Sequence, residues 1–223
     1  MSDPPEKSLV SLKVLSLMVS GMLVGSNYTA ITPIYPIIAH NKGLSPALIG
    51  LIIAATPIGS LVGSPFFGRN LQRIGRKNGL FLSTMLTGLP SFILALSIYC
   101  NRFVLDSLSF AVLGFLARFI SGAMSSLNII AGYSIMNEEY PKQLDKLVAY
   151  IELVSSLGYI FGPLLVSMLY TATSGPVALS IYGALIVISS LPLYFMQFTE
   201  VVQEHKENQT VYLSLLKHPV LCT

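Results

Sequence analysis

Six apolar stretches dominate the sequence, at residues 12–39, 45–67, 78–100, 107–136, 146–170 and 176–198. A helix rises about 1.5 Å per residue, so about 20 apolar residues are enough to cross a hydrocarbon core. A chain with six such runs has few ways to fold, because a bilayer satisfies backbone N–H and C=O groups only in helices or closed barrels. The runs are uniformly apolar and too long for the alternating strands of roughly ten residues that build a barrel. The expected fold class is therefore an all-α membrane protein with six transmembrane helices. They would form a bundle over residues 12–199, after a cytoplasmic segment at 1–11 and before a polar connection at 200–223. Composition agrees, with 53% hydrophobic and only 10% charged residues, against about 25% charged in soluble domains. The first run has Lys7 and Lys13 at its start but extends well past a leader's apolar core, which argues against a cleaved signal peptide.

Charge orients the bundle. Lys7, Lys13, Arg69, Arg73, Arg76, Lys77, Lys142, Lys146, Lys206 and Lys217 fall before the first run or in alternate connections, and only Lys42 and Arg102 fall in the others. The positive-inside rule then places the N-terminus in the cytoplasm. A net charge of +3 raises the question of nucleic acid, but no basic face is interleaved with aromatics, so no nucleic-acid partner is expected. The lipid bilayer is the first partner.

Orientation alone does not explain the spacing in "GRNLQRIGRK", between the second and third runs. Gly68, Arg73, Gly75, Arg76 and Lys77 match a G-x-x-x-D-[RK]-x-G-[RK]-[RK] pattern, with Gln72 where the pattern has Asp. In the fourth run Arg118 and Gly122 form R-x-x-x-G; in the fifth, Gly158, Gly162 and Pro163 form G-x-x-x-G-P. Three motifs in this order resemble the first half of a major facilitator transporter, each in its expected helix. The resemblance implies alternating-access transport of a small organic solute, and proton-coupled antiport from the G-x-x-x-G-P branch. It also implies a cytoplasmic latch at the basic loop, in which Gln72 keeps a hydrogen bond and loses an ion pair. Gly68 would let the second helix end close against a neighbour, and Gly75 would permit a tight left-handed turn. Glu138 and Glu139, closing the fourth run, are either ordinary acids or partners for Arg73 and Arg76.

Within that superfamily the chain is similar to the vesicular amine and polyamine transporter group. Pro33 and Pro36 in "PIYP", the "SPFFG" at the end of the second run, and Glu152 six residues before Gly158 carry this likeness. Monoamine members have an Asp about two turns before the first of those prolines. Here the stretch reads "MLVGSNYT", so a monoamine is not supported, and Asn27 and Tyr28 are the nearest polar candidates for the substrate path.

Arg118 lies roughly 16 Å into its run, where an Arg costs about 2.5–3.5 kcal/mol to insert. It must face protein or water. Glu152 enters from the other side, and the two either form a structural ion pair or exchange partners with a proton or solute during transport. His40, His205 and His218 lack metal-ligand spacing, and no cofactor or metal is expected. Cys100 and Cys222 belong on opposite faces, and the "NQT" sequon at Asn208 on the cytoplasmic one. Neither G-x-S-G nor H-E-x-x-H occurs, so no enzyme is expected. Major facilitators have two six-helix halves with the path between them. This chain supplies one, so it reads as a fragment, a dimerising half, or a non-transporting structural subunit of a larger complex.

Overall fold

A computed structural model of the chain describes residues 12–100 and 106–196. The expected segments 1–11 and 200–223, Arg102, His205, His218, Asn208 and Cys222 lie outside the described residues. Among the described residues there are seven α-helices: α1 (Leu12–Thr29), α2 (Tyr35–Asn41), α3 (Pro46–Ile74), α4 (Arg76–Cys100), α5 (Ser107–Glu139), α6 (Leu144–Ala172) and α7 (Gly175–Phe195). A single 3₁₀ turn, Pro141–Gln143, precedes α6. Five of these helices, α3 to α7, are long and apolar enough to cross a membrane. The first span is built differently.

The run at 12–39 is two helices, where the sequence suggested one. Pro33 has no N–H to donate to Thr29, so Thr32 N donates to Thr29 O (3.1 Å) in a tighter turn, and Ile34 N likewise to Ile31 O (3.1 Å). Pro36 then sits in the first turn of α2, where its missing N–H costs nothing. A second difference lies in the basic stretch. α3 runs on to Ile74 and α4 starts at Arg76, so the expected loop is helix apart from Gly75, which takes φ +82°. Gly75 is thus the positive-φ position it was expected to be. Gly68 is not a close-packing position: it lies inside α3, and a Cβ there would meet nothing within 4 Å.

Three helix pairs, α1 with α6, α3 with α5, and α4 with α7, are joined by an equally extensive contact of α4 with α5. Small residues set the first two seams. A Cβ on Gly122 of α5 would strike the Thr56 carbonyl of α3, and one on Gly59 would strike that of Phe119. Gly158 and Gly162 of α6 meet Met22 and Ser26 of α1 in the same way. Pro163 tightens this seam further. Lacking an N–H, it leaves the Tyr159 carbonyl free to accept from Thr29 Oγ1 of α1 (2.8 Å). In the third seam, Gly88 and Gly183 face each other's carbonyls.

The seams predict a sharp contrast between glycines. Gly122→Ala should lower stability by about 1–3 kcal/mol, because its methyl meets backbone that cannot rotate away. Gly50→Ala should be neutral or stabilising, since that position is helical and open. Thermal unfolding in detergent compares the two directly.

Candidate functional site

The break in the first helix leaves backbone carbonyls without their usual donors, and Arg118 supplies them. From α5, Arg118 Nη1 donates to Asn27 O (2.9 Å) and Nη2 to Tyr28 O (2.9 Å). Arg118 is only 3% exposed. A guanidinium suits this position because its planar fork spans two successive carbonyls and its charge faces the negative end of the α1 dipole. Asn27 is fixed as well, since its Nδ2 donates to Ser121 Oγ of α5. One residue earlier, Ser26 Oγ donates to Leu23 O (2.8 Å), so its 2.7 Å contact with Tyr182 Oη has the tyrosine as donor.

Tyr28 links this anchor to a cavity formed between α1, α5 and α6. Its ring meets Tyr159 edge-on, with centroids 6.1 Å apart. Both line a cavity of about 550 Å³, together with Tyr133, Asn128, Ser155 and Glu152. Glu152 accepts a hydrogen bond from Tyr133 Oη. Asn128 is held from behind by its bond to Thr84 Oγ1 of α4 (2.8 Å). The pairing of Arg118 with Glu152 is therefore corrected. No ion pair joins them among the described residues, because the helix break offers Arg118 two carbonyls and Tyr133 occupies Glu152.

At the basic end of the bundle, Arg76 forms an ion pair with Glu138. Glu139 is paired with Lys13 of α1, whose Nζ lies 2.9 and 3.0 Å from its two oxygens. Lys77 stands over the Tyr194 ring at 5.7 Å, tying α4 to the end of α7. Of the alternatives left open for the two acids, the structure gives Glu138 to Arg76 and Glu139 to Lys13. Arg73 and Gln72 are exposed on α3. The hydrogen bond expected of Gln72 is absent among the described residues, because α3 continues as helix and turns that side chain outward.

A profile for the Major Facilitator Superfamily matches residues 17–222. The chain belongs to that superfamily. It is 26% identical over 196 residues to the mouse MFS-type transporter SLC18B1, a match covering 86% of this chain and 41% of that protein. The human protein of the same name is 26% identical over 82% of this chain and 39% of its own length. Multidrug resistance protein 2 of Bacillus subtilis is 26% identical over 71% of this chain and 36% of its own. The chain thus spans about two fifths of the length of the curated relatives it matches. The names of the mouse and human relatives agree with the superfamily assignment, and the apolar helices with a multi-pass membrane protein.

Sequence reasoning named Arg118, Glu152, Asn27 and Tyr28 but missed Tyr133 and Tyr159, which complete the cavity. Their signal was weak, a tyrosine on a polar face of each of two apolar helices. The anchor yields a prediction. Arg118→Lys should destabilise the protein by about 1–3 kcal/mol, since an ammonium cannot serve both carbonyls in the same geometry and one is left buried without a donor. Unfolding midpoints of the wild-type and Lys proteins test it.

Proposed function

We propose that the chain is one half of a secondary active transporter that moves a small organic cation by alternating access, in exchange for protons. The cavity at Glu152 carries this reading. It places a carboxylate among three tyrosines, Tyr28, Tyr133 and Tyr159, with amide and hydroxyl groups of Asn128 and Ser155 beside them. Aromatic faces and a carboxylate together favour an ammonium group. The same carboxylate can instead carry a proton, so solute and proton compete for one site. Competition of this kind is what couples antiport. Arg118 serves as a positioning residue: it holds the end of α1 and, through the Tyr28 carbonyl, the aromatic wall of the cavity.

The Arg76–Glu138 and Lys13–Glu139 pairs form the latch of this mechanism, binding the ends of α1, α4 and α5 together. The weight of cations at that end supports a cytoplasmic location for it and for the N-terminus. The exposed apolar face of α6, with Leu153, Leu157, Ile160, Phe161 and Leu164, is suited to lipid and to a second six-helix half or another membrane subunit. The multidrug name of the Bacillus relative is compatible with an organic solute.

Proteoliposomes with an acidic lumen, carrying the longest natural form of the chain, should accumulate a labelled organic amine, and a proton ionophore should abolish the accumulation. Glu152→Gln should lower uptake at least about tenfold, equivalent to about 1.4 kcal/mol of lost interaction. Uptake that ignores both the gradient and the substitution would contradict the exchange. No uptake at all would favour a non-transporting structural subunit.

A further inference from the structure

Two cations of the basic stretch take no part in the latch. Arg69 and Arg73 stand one turn apart on the exposed side of α3. Neither forms an ion pair among the described residues, where the acids closing α5 are held by Arg76 and Lys13, and α3 itself carries no Asp or Glu. The same side of the helix is apolar before them. Ile58, Val62 and Phe66 are 37%, 56% and 61% exposed and follow at steps of four residues, so they form one row that runs on into Arg69 and Arg73. The Phe66 ring stands edge-on to that of the buried Phe67, with centroids 5.2 Å apart. Gly68 and Gln72 flank the cations. A Cβ on Gly68 would meet nothing within 4 Å, so the helix surface beside Arg69 is bare, and the exposed Gln72 amide adds a neutral donor.

The dimensions of this row fit an amphiphile. At a rise of about 1.5 Å per residue, Ile58 to Phe66 covers about 12 Å, most of the roughly 15 Å of one hydrocarbon leaflet. Arg69 and Arg73 follow about 5 and 10 Å beyond Phe66, at headgroup depth. Exposed cations standing alone would be satisfied by water. Here they cap an apolar row of the same span, so a phospholipid finds partners for its tail and its head in one line. The planar fork of a guanidinium meets two phosphate oxygens at once. A zwitterionic head brings its own ammonium to the phosphate, whereas an anionic head leaves its charge for the two arginines. Charge complementarity therefore selects the anionic lipid.

We infer that this face of α3 is a binding site for an anionic phospholipid, with its phosphate held by Arg69 and Arg73 and an acyl chain along Ile58, Val62 and Phe66. This gives a role to the part of the basic motif that lies outside the Arg76–Glu138 pair. The inference does not depend on the transport reading, because its test reads lipid contact and not uptake.

The chain contains no tryptophan, so Phe66→Trp, at an exposed position, gives it a single fluorescent reporter on the row. The purified variant is reconstituted in phosphatidylcholine bilayers and titrated with phosphatidylglycerol or phosphatidylcholine brominated on the acyl chains, which quench tryptophan on contact. One basic group near the surface contributes about 1 kcal/mol toward an anionic lipid, or about fivefold in affinity. Phosphatidylglycerol should therefore be preferred over phosphatidylcholine by at least about fivefold at this reporter. The preference should fall to near parity when Arg69→Gln and Arg73→Gln are added, and should be retained with Lys146→Gln, which removes an exposed cation from α6. Equal quenching by the two lipids would reduce the row to ordinary apolar lipid contact and overturn the inference. A preference that persists without both arginines would assign it to the general charge of the basic end, and no quenching by either lipid would show protein covering this face; each result also overturns it.

Discussion

A buried cation fastened to the broken end of a helix organises this bundle. Pro33 interrupts the first span, the interruption strips donors from the Asn27 and Tyr28 carbonyls, and Arg118 restores them from α5. Each partner accounts for the other. A continuous first helix would leave a guanidinium stranded among apolar helices, and without the guanidinium two carbonyls would be buried without donors. Such unpaired groups cost about 1–3 kcal/mol each. Because Tyr28 is both an anchored backbone group and a wall of the cavity, this junction transmits the geometry of α5 to the site at Glu152.

Around that junction the bundle is held by close backbone contact more than by side-chain bulk. α1 meets α6 and α3 meets α5 through glycines facing carbonyls, and these two seams exchange the first and second spans between the two groups of three helices. Such a pattern accords with the repeats from which transporter halves are built. Smooth seams of this kind permit helices to approach closely while the ion pairs at the basic end fix their register. Arg76–Glu138 and Lys13–Glu139 act on adjacent acids of α5, so one helix end gathers α1 and α4 together.

Much of this was legible in the sequence, for physical reasons that also mark where legibility stopped. Six apolar runs fix a membrane bundle because nothing else satisfies that much backbone in lipid. Gly75 was legible because a positive φ needs glycine, and the seams were legible at Gly122, Gly158 and Gly162 because only small residues permit such contact. The partner of Arg118 was not. Charge alone nominated Glu152, whereas the choice depended on the helix break and on the rotation of α6, neither of which the pattern of apolar residues encodes. Gly68 shows the same limit from the other side: its place in a motif does not reveal that α3 continues past it, open on that face. The tyrosines of the cavity come from three helices, α1, α5 and α6, and only packing brings them together.

The central claim is that one carboxylate, Glu152, accepts either a proton or the cationic group of the solute. Calorimetric titration of the purified protein with an organic amine, in mildly acidic buffers of different ionisation enthalpy, measures the protons released on binding. Competition at Glu152 predicts up to one proton released per amine bound, and none from Glu152→Gln. Amine binding without proton release at any pH, or release that persists in Glu152→Gln, would contradict it.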